Sequence, residues 1–221
     1  MNTEEVLGEL YNQTLVGNAP EVLKLTNSGL EAGITPEQLL FEALIPSLEE
    51  VGSRFERGDF FVPEMLIAGK AMAGALEVLR PLLAQSGTET VGTFVMGTVK
   101  GDVHDIGKNL VNIMLEGAGF QVIDLGVQVA PERFIEAIQE HQPDIVGFSA
   151  FLTTTMPMFK ANMNALEKAG LRDQVIVMVG GAPVTQEYAD AVGADGYASD
   201  ASAAVKQAKE LLHRRRSLVP A

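Results

Sequence analysis

Asp102 and His104, two positions apart, are the residues of this chain whose types and spacing best suit chemistry. A carboxylate so placed can take the proton of one imidazole nitrogen, leaving the other to face outward as a base or a metal ligand. Short patterns recur by chance, and a turn aspartate beside a solvated histidine is the plainer reading of the spacing alone. Asp105 suits a helix N-cap, and Gly101 and Gly107 suit backbone room. The surrounding Gly97-Thr98-Val99-Lys100-Gly101-Asp102-Val103-His104-Asp105-Ile106-Gly107-Lys108-Asn109 invites comparison with a phosphate loop. Five residues separate Gly101 from Gly107, however, and Asn109 follows Lys108 where a Ser or Thr would hold magnesium, which excludes that loop. His141 and His213 have no partner pattern and read as solvated.

The elements that must position this pair change character along the chain. Up to Ala84 apolar residues recur at spacings of three and four (Val6, Leu7, Leu10, Leu15, then Val22, Leu23, Leu25), a helical rhythm without strands. Thr3 before Glu4 and Glu5, Pro20, and Thr35-Pro36-Glu37 are helix starts; Gly58 is a stop, and a last helix runs from near Pro63 to near Pro81. Four antiparallel helices follow. Residues 85–91 are small and polar and read as a linker. Beyond it, β-rich runs (93–99, 121–125, 144–149, 174–179, 195–198) alternate with helical stretches (106–117, 131–140, 156–169), a βα repeat. Near-continuous apolar runs such as Val175 to Val179 belong to a parallel sheet covered on both faces. The fold class is therefore α/β: a helical bundle over residues 1–84 and a doubly wound five-stranded parallel sheet over 92–221. Its ligand crevice lies at the carboxyl ends of the strands. His104, the Ser149 to Thr155 segment and Gly180-Gly181 all fall on that edge, and the glycine pair leaves room beside the backbone.

Composition bounds the rest. The chain has 221 residues, 16 Lys and Arg against 29 Asp and Glu, a net charge of −13, and no cysteine. A broad phosphate-binding face is excluded, so nucleic acid is not an expected partner. Thiolate metal sites and a cysteine nucleophile are excluded outright. No apolar run approaches the ~18 residues of a membrane span. No signal-peptide layout follows Met1, so the expectation is a cytoplasmic protein with no membrane partner.

Asp102-x-His104-x-x-Gly107, Ser149-x-x-x-Thr153 and Gly180-Gly181, in that order on those strand ends, resemble the cobalamin-binding module of methionine synthase. The helical half, with Phe60-Phe61-Val62-Pro63-Glu64 before its last helix, resembles that module's cap. The whole arrangement is similar to the corrinoid proteins of methanol, methylamine and aryl-ether methyltransferase systems. The resemblance implies a four-helix cap on a flavodoxin-like (Rossmann-like) domain. It implies a cobalamin, cycling between methylcobalamin and cob(I)alamin, bound base-off with His104 as lower ligand to cobalt. Asp102 would orient His104, and Thr155 would extend the relay. Gly101, Val103, Asp105, Ile106 and Gly107 would line the cofactor beside them, Ser149 and Thr153 would bind the buried tail, and Gly180, Gly181 and Ala201 would line its channel. Phe151 stands where the family usually has leucine, so tail packing would differ. Phe61 and Met65 are cap candidates for the upper cobalt face, although Met65 and Met72 at helical spacing also suit a bundle core.

The implied function is a methyl carrier without a complete substrate site of its own. Its implied partners are a substrate-specific methyltransferase, a methylcorrinoid:tetrahydrofolate or coenzyme M methyltransferase, and a reductive activating protein. Two other classes compete: a cobalamin-dependent regulator, which would carry a basic DNA-binding domain, and the small subunit of an adenosylcobalamin mutase, which generally lacks this cap. The cluster His213-Arg214-Arg215-Arg216 suits a helix C-terminus better than DNA.

Overall fold

The apolar rhythm of the first half becomes helices, and the βα rhythm of the second becomes a sheet, in a computed structural model that describes residues 2–86 and 90–218. Those residues divide into two compact units, 2–86 and 90 with 116–119, and 91–115 with 120–218.

In the helical unit α1 (Thr3–Leu15) and α2 (Ala19–Glu31) are followed by a single turn, α3 (Pro36–Gln38). A π-helical turn at Leu39–Leu44 leads into α4 (Ile45–Glu56), and α5 (Val62–Ser86) closes the unit. The π turn precedes Pro46, which has no N–H to give, and Ile45 N–H bonds to Leu40 O five residues back. The cap of α1 is Asn2 and not Thr3: Asn2 Oδ1 accepts Glu5 N–H at 2.8 Å and Glu5 Oε2 accepts Asn2 N–H at 2.9 Å. The reciprocal box needs an acid three residues on, which Asn2 has in Glu5, whereas Val6 lies three beyond Thr3. Pro81 does not end α5, which runs to Ser86. The first two residues of the expected linker are therefore helical, and residues 87–89 lie outside the described residues. Leu10, Val22, Leu39, Leu48, Met65, Met72 and Leu79 form the unit's buried interior.

In the second unit β1 (Thr93–Thr98), α6 (Ile106–Gly117), β2 (Gln121–Asp124), α7 (Pro131–His141), β3 (Ile145–Ser149), α8 (Pro157–Lys168), β4 (Ile176–Gly180), α9 (Gln186–Val192), β5 (Gly196–Ala198) and α10 (Ala201–Leu218) alternate. All pairings are parallel and the strand order is β2-β1-β3-β4-β5. Helices on both faces explain why β3 and β4 are almost wholly apolar. On one face Phe134, Phe148 and Phe159 pack together, with Phe134 and Phe148 edge to face at 4.8 Å. Each such ring contributes about 1.5–3 kcal/mol through burial.

One row of this ladder sets the functional edge. Thr98, Ser149, Gly180 and Ala198 lie side by side in register across β1, β3, β4 and β5. Everything after them in the chain emerges at the same end of the sheet. The strand order changes direction between β1 and β3, the switch point at which such sheets open a crevice.

Candidate functional site

β1 ends at Thr98 and the chain turns back on itself before α6, because Asp102 N–H bonds to Val99 O at 3.1 Å and Gly101 takes a left-handed φ of 85°. That turn drives the Asp102 side chain inward, where it has no solvent exposure at all. A buried carboxylate must have its lone pairs occupied. Oδ1 accepts His104 N–H at 3.1 Å and His104 Nδ1 at 2.7 Å. Oδ2 accepts Phe151 N–H at 2.8 Å, Leu152 N–H at 3.2 Å and the Thr155 hydroxyl at 2.7 Å. Burial alone would raise the pKa of this carboxyl. The hydrogen bonds from Thr155, Phe151 N–H and His104 outweigh that and hold its pKa well below the ordinary carboxylate range.

Facing an ionised carboxylate, Nδ1 of His104 must be the donor, so a neutral ring carries its lone pair on Nε2. No hydrogen bond among the described residues takes that nitrogen, and the side chain is 43% exposed. The Phe151 ring stacks on the imidazole at 4.5 Å between centroids and 28° between planes. Around the ring, Val103, Ile106, Phe151 and Leu152 are all exposed. Four large apolar side chains left in solvent beside one outward-facing nitrogen make an exposed apolar patch of the kind that marks a ligand surface. Among the described residues no group of three or more His, Asp or Glu is gathered for a bare ion. A single imidazole instead suits a metal that brings its other ligands with it.

The remaining expected residues fall into three places. Gly101, Val103, Asp105, Ile106, Gly107 and Thr153 lie exposed around His104, while Ser149, Gly180 and Gly181 are half-buried at the strand ends. Ala201 is buried at the start of α10. Gly181 has a reason inside the chain as well as any beside a ligand. Its φ is 131°, and a Cβ there would fall 1.8 Å from Ala150 O. In the helical unit Phe61 is exposed, but Met65 is fully buried. Met65 therefore presents no surface to a cofactor, for the ordinary reason that methionines at helical spacing fill a core. His141 lies 3.7 Å from Glu140. The terminal arginines are engaged within the fold: Arg215 donates to Asp173 O, Arg214 faces Glu210, and Arg216 faces Asp144.

Thr98 and Gln128 belong to the site although their residue types gave no signal. The Thr98 hydroxyl donates to His104 O at 3.0 Å, and Gln128 N–H donates to Asp102 O at 3.0 Å. Gln128 has a left-handed φ of 55°, unusual for a residue that is not glycine, asparagine or aspartate.

Doubly wound α/β units bind ligands at the switch point, and the carboxylate-held imidazole stands there. Two B12 binding domain families match this chain, one over residues 92–206 and the other over residues 6–80. The dimethylamine corrinoid protein 1 of Methanosarcina acetivorans is 42% identical over 96% of this chain and 100% of its own length. The trimethylamine corrinoid protein of Methanosarcina barkeri is 40% identical over 96% and 99%. Among solved structures, the methanol:cobalamin methyltransferase complex of Methanosarcina barkeri matches with a TM-score of 0.84 at 28% identity, over 98% of this chain and 86% of that one. A cobalamin-binding protein from Desulfitobacterium hafniense matches with a TM-score of 0.72 at 29% identity, over 92% and 97%. The chain belongs to the family of B12-binding corrinoid proteins. No helix among the described residues is long and apolar enough to cross a membrane.

Proposed function

We propose that this protein is the methyl carrier of a corrinoid-dependent methyltransferase system, with its cobalamin bound base-off and His104 Nε2 as lower ligand to cobalt. The observation that carries the reading is the His104 ring itself, fixed by Asp102 on one nitrogen, open on the other, and ringed by exposed apolar side chains. When bound, the cobalt supplies the centre that receives and gives up the methyl group.

The chain's own residues do the rest. Asp102 fixes the tautomer and orientation of His104, leaving the Nε2 lone pair outward. Thr155 and the Phe151 and Leu152 N–H groups keep Asp102 ionised, so Nδ1 remains a donor. With Nε2 unligated, the open place for a further proton is Nε2 itself, since Nδ1 already donates to Oδ1. Ser149, Thr153, Gly180, Gly181 and Ala201 are assigned to the cofactor's extended tail, and Phe61 to the upper face. Asp105 and Gly107 flank the entry to α6, where a small residue leaves the face beside His104 open.

The relatives named above serve dimethylamine, trimethylamine and methanol chemistry, which supports a methylated one-carbon donor. The partners are then a substrate-specific methyltransferase, a methylcorrinoid:tetrahydrofolate or coenzyme M methyltransferase, and a reductive activating protein. A cytoplasmic location fits them.

The test is the electron paramagnetic resonance spectrum of the protein loaded with hydroxocobalamin and reduced to the cob(II) state. Wild type is expected to show coupling to a nitrogen that labelling of histidine with ¹⁵N alters. His104→Ala should retain the cofactor more weakly and lose that coupling. An unchanged spectrum in His104→Ala would remove His104 from the cobalt.

A further inference from the structure

His104 is held from a second side that the Asp102 network does not explain. Thr98, the last residue of β1, is fully buried. Its N–H donates to Gly126 O at 3.0 Å, its carbonyl accepts Val129 N–H at 2.9 Å, and its hydroxyl donates to the backbone oxygen of His104 at 3.0 Å. The loop after β2 that grips Thr98 is itself braced. Gly126 N–H donates to Asp124 Oδ1 at 2.8 Å, and Asp124 Oδ2 accepts Lys108 Nζ at 2.5 Å. Lys108 lies in the first turn of α6 with its side chain buried, and it also donates to Asn109 Oδ1 at 2.7 Å.

Both polar backbone groups of His104 are thus occupied, the N–H by Asp102 Oδ1 and the carbonyl by Thr98 Oγ1. Residues 99–103 form a loop whose two ends are tied together by that hydroxyl. With the main chain fixed, the imidazole can move only by rotation about its two side-chain torsions, and such rotation can keep Nδ1 near Asp102.

We propose that Thr98 is a positioning residue for His104: its hydroxyl closes the loop onto the His104 carbonyl, and the ion pair of the buried Lys108 with the exposed Asp124 braces the strand-end loop against which Thr98 sits. The proposal rests on the assignment of His104 as cobalt ligand for its functional meaning, but not for its geometry. The competing reading is a buried hydroxyl that merely satisfies the nearest carbonyl, with the loop fixed by packing.

The experiment compares wild type with Thr98→Val, which keeps the shape and removes the donor, and Thr98→Ser, which keeps the donor. In the cofactor-free protein, amide hydrogen exchange at His104 N–H reads opening of the loop directly. Exchange there is expected to be about tenfold faster in Thr98→Val and close to wild type in Thr98→Ser, since one buried hydrogen bond is at stake. In the protein loaded with hydroxocobalamin and reduced, the nitrogen-coupled fraction of the paramagnetic signal should fall by about half or more in Thr98→Val. It should recover in Thr98→Ser. Equal exchange at His104 in all three proteins overturns the proposal. Should Thr98→Val not fold, Thr98→Ala replaces it: a hydroxyl role predicts that serine resembles wild type and alanine does not, whereas a packing role, which overturns the proposal, predicts that serine and alanine behave alike. If wild type itself retains no cobalamin, the corrinoid assignment fails, and the exchange measurement still decides the role of Thr98.

Discussion

A carboxylate with no solvent contact and hydrogen-bond donors on both oxygens is the most constrained group in the α/β unit, and Asp102→Asn exposes what it does. The amide that replaces it has one accepting oxygen and one donating nitrogen. Turned toward Phe151, Leu152 and Thr155, the nitrogen faces backbone donors that cannot reverse; turned toward His104, it donates to Nδ1 and drives the ring proton onto Nε2. That proton would sit on the atom that the proposed function assigns to cobalt. Asp102→Asn is therefore expected to lower apo-protein stability by about 1–3 kcal/mol in urea unfolding at pH 7. It is also expected to shift the ¹⁵N resonances of His104 toward the Nε2–H tautomer. The pH dependence follows from the direction of the carboxyl's shift. A pKa below the ordinary value in the folded chain means that the unfolded chain binds the proton more readily. The contribution of Asp102 is full above its unfolded pKa of about 4 and is lost as pH falls below it. The stability gap between wild type and Asp102→Asn should narrow steadily from pH 5 toward pH 3; a gap that widens there would contradict the depressed pKa.

At the scale of elements, glycines at the sheet's functional edge separate what the fold needs from what a ligand needs. Gly181→Ala would place a methyl 1.8 Å from Ala150 O, in a backbone conformation that alanine avoids. The chain between β4 and α9 must shift, and a loss of about 2 kcal/mol or more in apo stability is expected. Gly107 differs: a Cβ there meets nothing within 4 Å, and the residue sits in the first turn of α6. Gly107→Ala is expected to leave apo stability unchanged or raise it by up to ~1 kcal/mol through helix propensity. If Gly107 serves the cofactor, retention of hydroxocobalamin should fall in the same variant. Measuring both quantities on both variants checks the division, and unimpaired retention in Gly107→Ala would withdraw Gly107 from the site.

The same edge shows what can be read from residue types. Strands and helices were legible because three-four spacing marks a helix, and short apolar runs rich in β-branched residues, alternating with helical stretches, mark buried parallel strands. The range of α6 is the one expected, and the strand boundaries move by only one or two residues. What escaped depends on neighbours remote in sequence or on backbone angles. The bond between Thr155 and Asp102 spans 53 positions, and nothing in the residues between them announces it; only resemblance to a family pointed there. Thr98 looked like any strand threonine. Gln128 is not a residue type that signals a left-handed turn, and Met65, a cap candidate whose helical spacing already favoured a core position, is buried.

For the whole molecule, the governing quantity is a net charge of −13 carried on 221 residues. The basic cluster near the C-terminus does little to offset it locally, since Arg214, Arg215 and Arg216 are turned onto Glu210, the Asp173 carbonyl and Asp144. If the protein works as the proposed methyl carrier between methyltransferases, it must associate quickly and leave quickly, and long-range attraction to a complementary basic face raises the encounter rate without deepening the bound state. Cofactor retention, by contrast, is expected to depend on hydrogen bonds and apolar contact at the strand ends, where added salt has little to screen. Raising ionic strength from about 50 to 500 mM shortens the screening length from roughly 14 to 4 Å. The second-order rate of methyl transfer between this protein and its methyltransferase is then expected to fall by about tenfold, with the amount of bound cobalamin unchanged. Stopped-flow measurement of the methylated cofactor's absorbance across that salt series tests it. A rate independent of salt would assign docking to apolar contact instead, with the exposed side chains around His104 and at Phe61 as the first surfaces to alter.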